Sequence, residues 1–271
     1  MESYTPNILT DEPLLRQCIG HARRHLLNPD HHRRGARSAA RRFDPLCCLL
    51  APFLRGPEDT FLLSVSRLLN TIYCRVYHQL KVIPGNCPIP DSGPFILVAN
   101  HTSGADAPLV NCLTNRWIHY LMAREYHDTF GMHWFFNAVG AIPVNRDGND
   151  LRATRSTLRM LKEGKGIGLF PQGGIRTPEE LEGEDAAKMG AALFALWSGA
   201  PLIPVYIKGA PAFDSILLGV ICPSRSRLYV GEPLAFEDAG KRPSREKIED
   251  ASEKILEAIR LLKEEADPEN D

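Results

Sequence analysis

The chain has 271 residues, of which 44% are apolar and 24% are charged, and its formal net charge is −1. That length predicts one large domain, or one domain with an appendage, and is sufficient for a hydrophobic core. The composition excludes a chain that is disordered throughout, and the near-neutral charge disfavours a protein built to bind nucleic acid. The seven cysteines are scattered without a C-x-x-C pair, which indicates a reduced chain with buried thiols.

The N-terminal region stands apart by its charge. Residues 1–43 carry eight arginines, four acidic residues and no lysine. We interpret residues 1–45 as a basic arm that is solvated and poorly ordered, or that is attracted to anionic lipid head groups. No apolar run reaches the roughly 18 residues of a membrane-spanning helix, and the N-terminus lacks the start of a signal peptide. We therefore expect a peripheral or monotopic protein on the cytoplasmic face of a membrane, without a transmembrane helix.

Residues 46–82 are predicted to form an amphipathic helical segment. Between residues 61 and 80, apolar side chains recur at spacings of three and four, which is the period of one helix face. These side chains are Leu62, Val65, Leu69, Ile72, Val76 and Leu80. Such a helix either packs on the rest of the protein or lies in a membrane surface, and the sequence leaves both possibilities open.

From residue 94 onward, short apolar runs alternate with helical patterns. The apolar runs predict six strands, at 95–99, 117–122, 141–144, 166–170, 202–207 and 227–230. The patterns between and after them predict helices at about 105–114, 126–137, 150–163, 186–198 and, following Ser244, 245–265. We therefore predict that residues 83–271 form a single α/β domain, with a central, mostly parallel mixed sheet flanked by helices.

The loop after the first of these strands holds a candidate catalytic pair. In open α/β sheets, ligands usually bind beyond the carboxyl ends of the strands, and His101 and Asp106 follow the strand at 95–99. The two side chains can meet if His101 lies in the loop and Asp106 lies in the first turn of the next helix. Asp106 would then hold one ring nitrogen of His101 and leave the other free to take a proton. An aspartate at a helix start is equally well explained by capping.

Two other strand ends carry groups that suit a phosphate. Arg146 follows the strand at 141–144, and Arg176 follows the next strand after a Gly-Gly pair. Arginine binds a phosphate through two parallel hydrogen bonds, and a Gly-Gly loop lets backbone N–H groups approach an oxyanion closely. Together with the histidine and the aspartate, these groups indicate transfer chemistry on a phosphate-bearing substrate.

The motifs resemble those of the glycerolipid acyltransferase superfamily, in particular its lysophosphatidic acid acyltransferase group. The first family motif, N-H-x-x-x-x-D, is matched by Asn100, His101 and Asp106. The second, an apolar strand that ends in arginine, is similar to residues 140–146. The third is F-P-E-G-x-R, and residues 170–173 resemble its start.

Two further elements continue the resemblance in family order. A K-x-G-A element is matched by Lys188, Gly190 and Ala191, and an apolar strand with proline is similar to residues 201–205. The whole set spans roughly residues 60–235. A single H-x-x-x-x-D match is common by chance, whereas the ordered set is specific.

The resemblance implies transfer of a fatty acyl group from acyl-CoA or acyl-carrier protein to a lysophospholipid hydroxyl in phospholipid biosynthesis, with 1-acyl-glycerol-3-phosphate as the favoured acceptor. His101 would be the general base, and Asp106 would orient it. The implied substrate-binding residues are Asn100, Ser103, Arg146, Gln172, Gly173, Gly174, Arg176 and Lys188. No metal or redox cofactor is implied. The expected partners are a membrane lipid surface, the acyl donor and the lysophospholipid, and no nucleic acid is expected.

The sequence departs from the family pattern at two places that bear on the acceptor. Gln172 stands where the third motif has glutamate, and Arg176 comes one residue later than the motif arginine. Gly104 also occupies a position at which many members carry a bulkier residue. Three alternatives therefore stay open: acylation of another lipid acceptor, a catalytically inactive lipid-surface binding protein of the same fold, and a thioesterase-like hydrolase.

Overall fold

The computed structural model describes residues 61–83, 89–128, 131, 133–145, 150–175, 189–213, 216–236 and 242–267. The predicted basic arm at 1–45 and the first part of the predicted helical segment, up to residue 60, lie outside these ranges. The fold is therefore described from residue 61 onward.

The described residues form one sheet of seven strands, in the spatial order β1-β7-β6-β2-β5-β3-β4. The strands are β1 (Lys81–Val82), β2 (Phe95–Ala99), β3 (Ile118–Ala123), β4 (Ile142–Val144), β5 (Gly166–Leu169), β6 (Leu202–Lys208) and β7 (Arg227–Val230). The five strands from β6 to β4 run parallel, β7 is antiparallel to β6, and β1 is parallel to β7. The predicted α/β fold with a mostly parallel mixed sheet is confirmed.

Helices lie on both sides of this sheet. They are α1 (Phe61–Ile72), α2 (Asp106–Val110), α3 (Arg124–His127), α4 (His133–Ala138), α5 (Leu151–Lys162), α6 (Gly190–Ser198), α7 (Ile216–Ile221) and α8 (Arg245–Ala266). A π-helical turn, Tyr73–Tyr77, continues α1, and a 3₁₀ turn, Asn111–Leu113, continues α2. Within the described ranges, none of these helices is both long enough and apolar enough to cross a bilayer.

Three elements differ from the sequence-based expectation. The single helix predicted at 126–137 is two short helices, α3 and α4. Gly131 lies between them at a φ of +82°, a backbone conformation that interrupts a helix. Strand β1 lies within the segment predicted to be helical, and its two residues are too few to give a strand pattern. Helix α7 was not predicted, because a six-residue apolar run has no readable helical period.

Strand β2 occupies the centre of the sheet, and all five of its residues are buried. Its side chains alternate between two apolar clusters, as a strand flanked by neighbours on both sides requires. Ile96 and Val98 pack with residues of α5, α6 and α8. Leu97 and Ala99 pack on the opposite face with residues of α2 and the π-helical turn. Because β2 is packed on both faces, its position in the sheet is fixed, and so is the starting point of the loop that follows it.

Two glycines in β5 make room for aromatic rings from the neighbouring strands. A Cβ at Gly166 would lie 2.2 Å from the ring of Phe95, and one at Gly168 would lie 2.2 Å from the ring of Tyr120. Only glycine leaves these ring positions open. The ring of Tyr120 can therefore lie directly over β5, next to Phe170 at the strand's carboxyl end.

Candidate active site

The loop after β2 brings His101 and Asp106 together. Asp106 is the first residue of α2, and its Oδ2 atom lies 2.9 Å from Nδ1 of His101. The same oxygen accepts hydrogen bonds from the backbone N–H groups of Thr102 at 2.7 Å and Ser103 at 2.8 Å. The side-chain pairing predicted from the sequence is thus present, and one carboxylate oxygen also folds the loop around itself.

The proton positions follow from this network. Backbone N–H groups can only donate, so Oδ2 of Asp106 is the acceptor in its bonds to Thr102 and Ser103. An oxygen that accepts these two hydrogen bonds is the unprotonated oxygen of the carboxyl group. Nδ1 of His101 must therefore carry the ring hydrogen and donate it to Oδ2, which assigns the tautomer with a bare Nε2. In the part of the chain that the structure describes, no hydrogen bond reaches this Nε2.

Asp106 is completely buried, and burial dominates its electrostatics. Burial raises the pKa of the Asp106 carboxyl above its ordinary value, while the hydrogen bonds from His101, Ser103 and Thr102 act in the opposite direction. Its second oxygen, Oδ1, is buried and has no hydrogen-bond partner among the described residues. The carboxylate is thus held at an energetic cost, as is common for groups that serve a reaction.

The imidazole of His101 is held in its plane by aromatic stacking. Its ring stacks on Phe170 with centroids 4.1 Å apart and planes 16° apart, and Phe170 stacks in turn on Tyr120 at 5.7 Å. The side chain of His101 is 19% exposed, whereas that of Asp106 is fully covered. The histidine is therefore the member of the pair that solvent or substrate can reach. This stack was not predicted, because the three rings come from separate parts of the chain.

Gln172 contacts the backbone of the candidate base. Its Oε1 atom accepts a hydrogen bond from the backbone N–H of His101 at 2.5 Å. The residue is buried, and its Nε2 atom has no hydrogen-bond partner among the described residues. Because β5 lies beside β2, Gln172 ties the carboxyl ends of the two strands together. This contact makes it a positioning residue for His101, while its predicted role in substrate binding stays a prediction.

Asn100 and Ser103, the other predicted binding residues of the loop, make bonds within the protein. Asn100 donates through Nδ2 to the carbonyl oxygen of Ile207 at 3.0 Å and accepts from the N–H of Ile207 at 2.6 Å. These two bonds join the end of β2 to β6. The Oγ atom of Ser103 accepts from the N–H of Ala105 at 3.2 Å, and both polar side chains are buried.

The remaining predicted binding residues are only partly described. Gly173 and Gly174 form the turn after β5, where the N–H of Gly173 donates to the carbonyl oxygen of Phe170 at 3.0 Å. Gly173 has a φ of +66°, the left-handed conformation that favours glycine. Arg146, Arg176 and Lys188 lie outside the described residues. Their proposed contacts with a phosphate stay predictions.

Helix α7 lies directly on the loop after β2, residues 100–105, which we call the catalytic loop. The sequence did not indicate this contact. A Cβ added to Gly104 would lie 2.3 Å from the carbonyl oxygen of Ile216. A Cβ added to Gly219 would lie 2.6 Å from the backbone nitrogen of Gly104 and 2.7 Å from Oγ of Ser103. Backbone therefore packs against backbone here, and both positions require glycine. This contact explains the small residue at position 104, where a bulkier one would displace α7.

A separate cavity of about 350 Å³ lies beside the loop at the end of β6. It is lined by Asn100 and Thr102 of the loop together with Lys208, Lys263 and Asp267, and His101 does not line it. The ammonium group of Lys208 donates to the carboxylate of Asp267 and to a backbone carbonyl oxygen of α8. This cavity is therefore distinct from the surroundings of the His101 side chain.

Comparisons with known proteins agree with the fold and the motif. A protein-family model described as Acyltransferase matches residues 78–208. The chain is 26% identical over 180 residues to 1-acyl-sn-glycerol-3-phosphate acyltransferase of Bacillus subtilis (strain 168), which covers 66% of this chain and 86% of the relative. It also resembles the crystal structure of the 1-acyl-sn-glycerophosphate (LPA) acyltransferase PlsC from Thermotoga maritima, with a TM-score of 0.55 and 22% identity, over 81% of this chain and 87% of that chain. At this identity, the structural likeness shows the shared fold.

The matched region contains the loop with His101 and Asp106 and the strands from β1 to β6. Residues 78–208 therefore form an acyltransferase domain, and the chain is similar in sequence and in fold to two 1-acylglycerol-3-phosphate acyltransferases.

Proposed function

We propose that this enzyme transfers a fatty acyl group from acyl-CoA or acyl-carrier protein to the hydroxyl of a lysophospholipid, with 1-acyl-glycerol-3-phosphate as the favoured acceptor. The observation that carries the proposal is the hydrogen bond of 2.9 Å between Asp106 and Nδ1 of His101, which leaves Nε2 as the base in a side chain that is 19% exposed. The choice of acceptor is supported by the relative from Bacillus subtilis, which is named for that substrate.

The proton transfers of the proposed reaction need only the pair of His101 and Asp106. Nε2 of His101 takes the proton of the acceptor hydroxyl as the hydroxyl oxygen attacks the thioester carbonyl carbon. Asp106 stabilises the imidazolium ion that forms. The tetrahedral intermediate then re-forms the carbonyl and expels the thiolate, and the imidazolium returns the proton to sulfur. The products are an ester and a free thiol, without an acyl-enzyme and without a bound cofactor.

The turn after β5 and the predicted basic residues would bind the charged parts of the reaction. The N–H of Gly173 already donates within the turn, so we assign the neighbouring Gly174 as a backbone donor to the oxyanion. Arg146, Arg176 and Lys188 would hold the acceptor phosphate, since guanidinium groups suit that geometry. Gln172 would act on the acceptor indirectly, through the position of His101.

We further propose that the enzyme works as a peripheral protein at the cytoplasmic face of a membrane. Both substrates carry acyl chains, which favour a bilayer. Helix α1 and the π-helical turn after it support the proposal, because Phe61, Leu69 and Ile72 of the helix and Val76 of the turn have exposed apolar side chains. A helix with such a face suits the boundary between head groups and acyl chains.

The test is thiol release from acyl-CoA and from acyl-carrier protein, each with and without 1-acyl-glycerol-3-phosphate. We expect release that depends on the acceptor and that falls by about 10²- to 10⁴-fold in His101→Ala, the usual worth of a general base. The His101→Ala protein should keep the circular-dichroism spectrum of the wild type. Release without any acceptor would identify a hydrolase. No release from any donor and acceptor would favour the lipid-binding alternative.

A further inference from the structure

Helix α7 has an inner side that touches the catalytic loop and an outer side that is apolar. Its inner contact is made by Gly219, which lies against Gly104 and Ser103. Its outer side exposes Leu218 and Ile221, the latter at 52% of its surface. A six-residue helix gains little from exposed leucine and isoleucine in water, so this outer side is suited to an apolar environment.

Hydrogen bonds join α7 to the segment that continues α1. The hydroxyl of Tyr73 donates to the carbonyl oxygen of Val220, and that of Tyr77 donates to the carbonyl oxygen of Ile221. The Tyr73 hydroxyl has one hydrogen and donates it to Val220, so it acts as the acceptor in its second bond. Nε2 of the buried His78 therefore donates to the Tyr73 hydroxyl at 2.6 Å. The last carbonyl groups of α7 are thus satisfied by side chains of the π-helical turn.

The exposed apolar residues of α1 and α7 therefore belong to one connected unit. We define the α1–α7 surface as the outward side chains of Leu69, Ile72, Val76, Leu218 and Ile221, all of which are exposed. Ile72 and Val76 each directly precede a tyrosine that bonds to α7. Isolated exposed apolar residues need no explanation, whereas a group on two joined elements indicates an interaction surface.

The two segments that carry this surface hold only basic charges, and the exposed Glu232 follows directly after the second segment. Residues 61–83 and 216–231 contain five lysines and arginines and no acidic residue. Arg67 is buried, whereas Lys81, Arg225 and Arg227 are exposed. Lys81 and Arg227 are direct partners in the pairing of β1 with β7. Like charges in that position repel each other unless an anionic group lies between or above them.

We propose that α7 is a second lipid-contacting element, in which Leu218 and Ile221 enter the bilayer interface beside α1 while Lys81, Arg225 and Arg227 contact anionic head groups. The partner is the surface of an anionic bilayer. This inference rests on the proposed function, because a lipid acceptor has to reach His101 from that bilayer. The Gly104–Gly219 contact then places the catalytic loop directly behind the membrane-facing helix.

The experiment is co-sedimentation of the full chain with vesicles of phosphatidylcholine containing 30% phosphatidylglycerol. We compare wild type with Ile221→Glu and with Leu261→Glu, a control on α8 at which the wild-type residue is 56% exposed. The expected result is at least a tenfold loss of vesicle binding for Ile221→Glu and none for Leu261→Glu. Arg225→Ala with Arg227→Ala should weaken binding to these vesicles and leave binding to pure phosphatidylcholine unchanged.

Equal vesicle binding by Ile221→Glu and wild type would overturn the inference. So would a change confined to self-association in analytical ultracentrifugation, which would make the surface a contact between copies of the chain. A loss confined to binding of acyl-carrier protein would assign the surface to that acidic partner instead and would equally overturn it.

A second readout separates this inference from the proposed function. Ile221→Glu should keep wild-type turnover of a short-chain acyl-CoA and a short-chain lysophosphatidate, both monomeric in solution, and lose turnover of an acceptor embedded in vesicles. If wild type fails on both substrate forms, the proposed function is wrong, while the vesicle measurement still decides the role of α7. If Ile221→Glu loses both forms equally, α7 acts through the catalytic loop and not through lipid.

Discussion

The loop that carries His101 and the helix α7 that lies on it are built in opposite ways. In the loop, Asp106 and Ser103 are buried and bonded to neighbouring polar groups. In α7, Leu218 and Ile221 are turned outward, and a glycine faces inward. The difference indicates that the reacting geometry is fixed from within the domain, while access to lipid depends on the outer surface. Variants of the loop should change the rate for every form of substrate.

The largest effect is expected for Asp106→Asn, which changes the hydrogen-bond partner of His101. An asparagine oxygen in the place of Oδ2 still accepts from the N–H groups of Thr102 and Ser103 and from Nδ1 of His101. Its NH₂ group takes the place of the buried Oδ1, and the negative charge that stabilises the imidazolium ion is lost. Turnover of a soluble acyl-CoA should fall by about 10²- to 10⁴-fold, the range that general acid–base catalysis contributes. Steady-state kinetics within tenfold of wild type would refute this role, and unchanged vesicle binding is the control.

The next effect is expected at the contact between the two regions. Gly104→Ala puts a methyl group 2.3 Å from the carbonyl oxygen of Ile216, so either α7 or the loop must move. Displacement of a reacting group by about 1 Å costs about 10²-fold in rate, and overpacking costs about 1–3 kcal/mol of stability. Gly190→Ala is the matched control, because a methyl group there meets no atom within 4 Å. Equal rates and equal urea midpoints for the two variants would show that the contact between Gly104 and α7 affects neither turnover nor stability.

A smaller effect is expected at Gln172, which supports the loop from the neighbouring strand. Gln172→Ala removes the acceptor for the backbone N–H of His101 and leaves that group buried. The expected cost is about 1–3 kcal/mol of stability, with turnover reduced about tenfold. Gln172→Glu keeps an acceptor oxygen and should retain more of the activity. If alanine and glutamate at this position have the same effect on stability and turnover, the bond to His101 is not what Gln172 provides.

The smallest effect is expected in the pH dependence of stability. Burial raises the pKa of Asp106 in the folded state, so the folded protein binds more protons than the unfolded chain between the ordinary and the raised value. Stability contributed by this group is therefore present at the lower end of that window and is lost as the pH rises through it. Urea unfolding at several pH values should show this slope in wild type and not in Asp106→Asn. Activity, which needs the ionised carboxylate, should be lost as the pH falls through the same window.

The sequence was sufficient to predict those parts of the fold that depend on short-range patterns. The six longer strands appeared as apolar runs, because buried parallel strands have no polar face. The pairing of His101 with Asp106 followed from a motif with fixed spacing, and the structure has the two side chains in contact. Ser244 caps α8 by accepting from the N–H of Lys247, as its position before the helix indicated.

The parts that could not be predicted depend on contacts between distant segments. Gly104 and Gly219 are 115 positions apart, and only the folded chain shows that their backbones meet. The stack of His101, Phe170 and Tyr120 likewise joins residues from three separate segments of the chain. The motif predicts substrate binding by Gln172, which stays a prediction, but it does not indicate that the side-chain oxygen of Gln172 accepts a hydrogen bond from the backbone N–H of His101. A single sequence carries no signal for such contacts.

The most direct test of the central claim, that Asp106 prepares Nε2 of His101 to take a proton, is a long-range proton–nitrogen correlation NMR spectrum of the imidazole at neutral pH. We predict the neutral tautomer with its hydrogen on Nδ1, and a mixture of the two tautomers in Asp106→Ala, which has no acceptor for that hydrogen. A wild-type ring with its hydrogen on Nε2 would contradict the assignment of His101 as the base.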